Sequence, residues 1–261
     1  SMFNNADLKF PSIKGSDGTT IPVTHGNYVT LLENSDRNIR RQAFQSLYSM
    51  YDTYQNTLAA AYSANVKQQY FFASARKYNS SLEMALDGGE IPLSVYHNLI
   101  DTVHKRLPLL HRYVSLRKKL LNLPELHMYD LYTPMLPRAD KPVSFEEAKK
   151  MVKKGLAPLG KDYLEKLQEG FDNRWIDIFE NENKRSGAYS WGAYGTHPYV
   201  LLNYQENLNH VFTLAHEMGH ALHSYHSDAA QPYVYAGYRI FVAEVASTVN
   251  EALLMLSLIH I

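Results

Sequence analysis

The chain contains no cysteine. That excludes disulfides and any thiolate metal site, and it accords with a cytoplasmic setting. It carries no net charge, with 26 basic residues against 26 acidic ones. No electrostatic case therefore exists for a nucleic-acid partner or an anionic membrane surface. Long apolar runs are missing as well: stretches such as Ala252–Met255 fall far short of the ~18 residues that span a bilayer. No N-terminal signal is visible, since Ser1-Met-Phe-Asn-Asn5 is short and polar. What remains is a chain of 261 residues, long enough for one large domain or two modest ones with a sizeable core. A soft boundary is expected near 135/136, separating an N-terminal β hairpin and helical region (1–135) from a second region (136–261).

Histidine is plentiful at 12 residues, and two of these carry a pattern. His216-Glu217-Met218-Gly219-His220 matches H-E-x-x-H. Residues four apart lie on one face of a helix, so both imidazoles can address one cation. Two imidazoles and an open position suit Zn²⁺. Glu217 stands beside the first ligand, placed to act on water whose pKa the metal lowers toward ~7. It is the expected general base, taking that proton and passing it to a leaving amine. The flanking Leu208, Val211, Phe212, Leu214, Ala215, Ala221 and Leu222 describe a helix that can be buried, and Gly219 allows close packing.

Such a site needs a third protein ligand, and three residues compete for the role. His226 has metzincin spacing, but that pattern requires glycine where this chain has His223. Without the glycine turn His226 stays on the helix, ~15 Å along the axis from His216. Asp228 meets a similar difficulty. Glu244 lies in a second apolar segment, Arg239–Glu251, reached through a loop containing Pro232 and Gly237. A carboxylate among Phe241, Val242, Ala243, Val245 and Ala246 needs a partner, and a returning helix brings it to the metal. Glu244 is the preferred third ligand. Ser247 and Glu251, on the same face, are candidates for orienting the ligands from behind.

Elsewhere the pattern is mostly helical. Residues 7–25 read as a hairpin around Gly15-Ser-Asp-Gly18. Ser35-Asp36 caps a helix beginning near Arg37, with Ala43, Leu47, Met50, Tyr51, Tyr54 and Leu58 at helical spacing. Ser94 is expected to cap a helix ending near Lys105, and Pro108 to open the next. The latter carries Arg112, Arg117, Lys118 and Lys119, which read as a solvated face. Ser144-Phe-Glu-Glu147 is a capping box. Trp175–Phe179 reads as a short amphipathic segment. The 186–204 stretch changes character. Gly187, Gly192 and Gly195, with Tyr189, Trp191 and Tyr194, describe a glycine- and aromatic-rich hairpin ending in a strand before the H-E-x-x-H helix. An extended peptide can add to such an edge. His197 and Tyr199 are its candidate substrate-binding residues.

The runs Ser186–Gly192, His197–Tyr204, His216–His220 and Glu244–Thr248 resemble the oligoendopeptidase F branch of the thimet-oligopeptidase-like zinc peptidases. Ala75–Glu83 and Leu126–Tyr132 resemble the same branch, so the similarity extends over nearly the whole chain. The resemblance implies a mainly α, helical zincin-like fold with a small β element before the zinc-binding helix. It also implies one Zn²⁺ per chain on His216, His220 and Glu244, with Glu217 as base, and cleavage of internal bonds in short peptides. Members of that branch extend well past the third ligand, and the side chains that stabilise their tetrahedral intermediate lie there. This chain ends at Ile261, as a C-terminally truncated piece does. The expected partners are an oligopeptide substrate and either a missing C-terminal part or a second copy. Two alternatives stand beside the peptidase: a non-catalytic peptide-binding fragment that keeps the zinc site, and a metzincin-like site using His226.

Overall fold

A computed structural model describes residues 8–135 and 142–259. Residues 136–141, onto which the expected boundary opens, and the polar Ser1–Asn5 start lie outside it. The chain is mainly α-helical with a few short strands, as expected, and it divides into two units.

The first unit takes 9–24 and the chain from Tyr28 to 135. Strands β1 (Ile13–Lys14) and β2 (Thr20–Ile21) pair antiparallel, a shorter hairpin than the sequence pattern suggested. Helices α1 (Tyr28–Glu33), α2 (Arg37–Thr53), α3 (Gln55–Ala75), α4 (Ser81–Asp87) and α5 (Leu93–Leu120) follow. Asp36 caps α2 by accepting from the Asn38 N–H, satisfying one of the orphan amides of the first turn. Ile13, Val23, Leu32, Ile39 and Ala43 form the apolar core.

Two expectations for this unit are corrected. Pro108 does not open a helix and Ser94 is not a cap; α5 runs from Leu93 straight through Pro108. A proline removes one backbone donor from the ladder, and twelve helical residues beyond it carry the helix on. Arg117 is not part of a solvated face. It is buried, donating to the carbonyl oxygens of Asp130 and Thr133. Asp130 is itself enclosed, accepting from Arg37 Nη2 at 2.9 Å, Arg40 Nη2 at 2.8 Å and the His127 N–H at 3.0 Å. Burial alone raises its carboxyl, but the Arg37 and Arg40 hydrogen bonds outweigh that and hold it at about 2.

The second unit contains His25–Asn27 and the chain from 142 to 259. Its elements are α6 (Phe145–Gly155), α7 (Lys161–Asp172), β3 (Ile176–Asp177), β4 (Tyr189–Trp191), β5 (Tyr199–Leu201), α8 (Leu208–Ala230), α9 (Tyr233–Ala236) and α10 (Ile240–Ile259). The Ser144 capping box opens α6. The sheet has the order β3-β5-β4, with β3 parallel and β4 antiparallel to β5. The Trp175–Phe179 segment is thus strand-bearing rather than simply amphipathic. Trp175 is 2 % exposed, in a core with Val152, Leu156, Leu167, Leu214, Met218 and Leu254. By length and composition α10 is apolar enough to cross a membrane, which short-run counting missed. Glu244, Asn250 and Glu251 interrupt it, and their bonds to α8 make it the partner of that helix.

Candidate metal centre

Helix α8 starts at Asn207, whose side chain accepts from the His210 N–H, and runs unbroken to Ala230. Its regular period brings His216 and His220 to the same face, Nε2 to Nε2 at 3.0 Å. α10 returns along α8 and delivers Glu244. Its Oε2 lies 3.6 Å from His216 Nε2 and 3.7 Å from His220 Nε2. Tetrahedral Zn²⁺ with ligands at its usual bond lengths separates them by about 3.3 Å. The three observed separations bracket that value, so this donor set fits a zinc ion.

The return of α10 depends on two small residues. A Cβ on Gly219 would lie 2.8 Å from Ser247 Cα and 3.0 Å from the Ala246 oxygen. Gly155 faces Leu254 Cα in the same way, at 3.0 Å. Buried Asn250 joins the helices by donating to the Ala215 carbonyl at 2.9 Å while accepting from the Tyr163 hydroxyl.

The supporting shell is built from α10. Glu251 Oε1 accepts from His216 Nδ1–H at 2.6 Å, leaving the lone pair on Nε2. Ser247 Oγ donates to Glu244 Oε2 at 3.0 Å. The His220 ring bonds the Ala243 carbonyl. Burial, then the neighbouring His216, lower the pKa of His220 and favour the neutral imidazole, the form that can bind a metal.

Glu217 lies beside His216 and Glu244 and also reaches the sheet. It is 7 % exposed, accepts from the Ser190 N–H of β4, and its Oε2 is buried with no hydrogen-bond partner among the described residues. Burial pushes its carboxyl up, His216 draws it down and the Glu244 charge pushes it up again. A half-satisfied buried carboxylate with raised proton affinity is ready to accept a proton.

The other candidates sit elsewhere. His226 remains on α8, exposed, its ring against Tyr225. Asp228 lies further along, in the last turn. His197 is stacked on Trp175 with centroids 5.5 Å apart, and its Nδ1 is 2.7 Å from the Pro198 oxygen. Tyr199 packs on His197 at 4.4 Å and is 54 % exposed. Neither belongs to the donor cluster. Sequence reasoning missed Ser190, whose contribution is a backbone N–H with no side-chain signature. It also missed Asn250; an amide side chain within the largely apolar 240–259 run was the available signal.

The family model described as peptidase family M3 matches residues 30–260. Oligopeptidase PepF of Bacillus subtilis is 54% identical over 97% of this chain, which spans 38% of that protein. Group B oligopeptidase PepB of Streptococcus agalactiae is 47% identical, with 97% of this chain and 42% of its own length covered. The crystal structure of oligoendopeptidase-F from Enterococcus faecium superposes with a TM-score of 0.63 at 38% identity, covering 99% of this chain and 39% of that one. The expected resemblance to oligoendopeptidase F is borne out, and this chain spans about two fifths of the length of the relatives it matches. The chain belongs to peptidase family M3, a metallopeptidase family.

Proposed function

We propose that this M3 chain holds one Zn²⁺ on His216, His220 and Glu244 and hydrolyses internal bonds of short peptides with Glu217 as general base. The observation that carries the reading is the convergence of those three donor atoms within 4.8 Å of one another, with an unpartnered buried Glu217 carboxylate oxygen beside them. Zn²⁺, when bound, supplies a Lewis acid that polarises a scissile carbonyl and acidifies water.

The chain's own residues do the rest. Glu251 holds His216 in the tautomer that exposes Nε2. Ser247 fixes the Glu244 carboxylate. Glu217 Oε2 accepts a proton from water and delivers it to the departing amine. The Ser190 N–H holds the other side of that carboxylate in place. β4 is an edge strand of the sheet, and an extended substrate backbone adds alongside it, next to Glu217.

The test is cleavage of an internally quenched fluorescent oligopeptide by the zinc-loaded chain, with and without chelator. Chelator-sensitive turnover that disappears in Glu217→Gln, with zinc content retained, is the expected result. Zinc content of Glu244→Ala and His226→Ala decides the third ligand: loss only in the His226 variant overturns the assignment. Peptide binding without any turnover leaves the non-catalytic reading.

A further inference from the structure

A second feature of the same unit lies beyond the donor cluster, toward the end of α8. A cavity of about 340 Å³ opens there between the hairpin loop and the last turns of the helix, lined by Tyr194, Gly195, His197, Tyr225 and Asp228 among others. Its walls are fixed. Trp175, buried, stacks on His197 and also contacts Tyr225 at 6.1 Å. Tyr194 is tied across the opening by its hydroxyl, which donates to the Gln231 carbonyl at 3.0 Å, and by the Tyr233 ring at 5.5 Å.

We propose that this cavity is a subsite for a cationic amine of a bound peptide, either a basic side chain or a free α-amino group. Three observations point to a cation. The cavity walls include the aromatic rings of Tyr194 and Tyr225, and aromatic faces attract ammonium groups. Lys166 lies over the Tyr225 ring, its Nζ 4.4 Å from the centroid, and is neutralised by its ion pair with Glu169. The Asp228 carboxylate, half-buried at the rim, has no hydrogen-bond or ion-pair partner among the described residues. The C-terminal end of α8 carries the negative end of a 23-residue helix, with no basic residue in its last turn to offset it.

The position suits a peptide as well. Asp228 is two turns beyond His220, ~12 Å along the helix axis. The hairpin runs in the same direction, from Ser190 beside Glu217 to Tyr194 at the cavity. An extended peptide covers that distance in about four residues. The ligand's being a peptide rests on the peptidase reading; the preference for positive charge rests on the cavity alone.

Binding to the metal-free chain in chelator separates the two. N-acetylated, fluorescein-labelled heptapeptides of alanine with one lysine at successive positions are compared by anisotropy with the same peptides carrying norleucine. A third set, norleucine with a free N-terminus, distinguishes an α-amine from a side chain. Lysine at the preferred position is expected to bind about tenfold tighter than norleucine. Asp228→Asn removes that ratio while leaving the norleucine peptide unaffected, and Tyr225→Leu reduces it. A free-amine peptide that outcompetes the lysine series assigns the subsite to the peptide N-terminus. Equal binding of charged and uncharged peptides, no binding of any of them, or a ratio insensitive to Asp228→Asn in a folded variant overturns the subsite. Loss of zinc-dependent hydrolysis concerns the metal reading and does not enter this ratio.

Discussion

Replacing Gly219 by alanine tests whether helix packing, rather than the ligands themselves, sets the metal site. The added Cβ would meet Ser247 Cα at 2.8 Å and the Ala246 oxygen at 3.0 Å. Both are backbone atoms and cannot rotate away. Carbon atoms rest at ~3.5–4.0 Å, so α10 has to retreat from α8 by about 1 Å at this point. Glu244 lies less than one turn away on α10 and retreats with it. Alanine gains roughly 1 kcal/mol of helix propensity over glycine, and overpacking costs roughly 1–3 kcal/mol. The net loss of stability is therefore about 2 kcal/mol at most, and the variant folds. The metal pays more heavily, because zinc distances tolerate only about ±0.2 Å. Zinc affinity, measured by competition with a chromophoric chelator, is expected to fall at least tenfold, about 1.4 kcal/mol. Unchanged zinc affinity together with a raised melting temperature would refute the packing argument.

Further outcomes follow from the same geometry. Glu251→Gln weakens the hydrogen bond on His216 Nδ1 and should cost 10- to 100-fold in zinc affinity with circular dichroism unchanged; an unaltered affinity removes Glu251 from the site. Asp130→Asn strands Arg40, whose side chain is 4 % exposed, and should cost about 3–5 kcal/mol in urea unfolding near neutral pH. Because the Asp130 carboxyl is held at about 2, below its ordinary 3.8, its charged form stabilises the fold above pH ~4. That contribution, about 2 kcal/mol, is lost as pH falls toward 2; a wild-type-to-variant gap that stays constant from pH 5 to 2.5 contradicts the clamp. Trp175→Ala removes a core side chain that is 2 % exposed. It is expected to lose about 3–5 kcal/mol and, by freeing His197 and Tyr225, to abolish the lysine preference before it abolishes zinc binding.

Local rules carried much of this protein. The 3.6-residue period places His216 and His220 on one face and Glu217 on another, whatever surrounds them. Asp36 and Ser144 announce their helices because a short acceptor side chain can satisfy only the amides immediately following it. The apolar neighbours of Glu244 signalled a carboxylate in need of company. Where local rules were applied to residues with distant partners, they failed. Arg117 stands among cations in the sequence, yet its partners are carbonyls at Asp130 and Thr133. Pro108 looked like a boundary, but the loss of a single donor did not end α5.

The order of residues alone determined the H-E-x-x-H face, the helix starts and the mainly helical class, since each depends on interactions within a few positions along the chain. Only the tertiary structure decided how closely Glu244 approaches the two imidazoles, which partner holds His216, and that His197, Tyr225 and Asp228 line one open cavity. Those outcomes depend on contacts between segments remote in sequence, where close packing at Gly219 and the stacking of Trp175 leave no local trace.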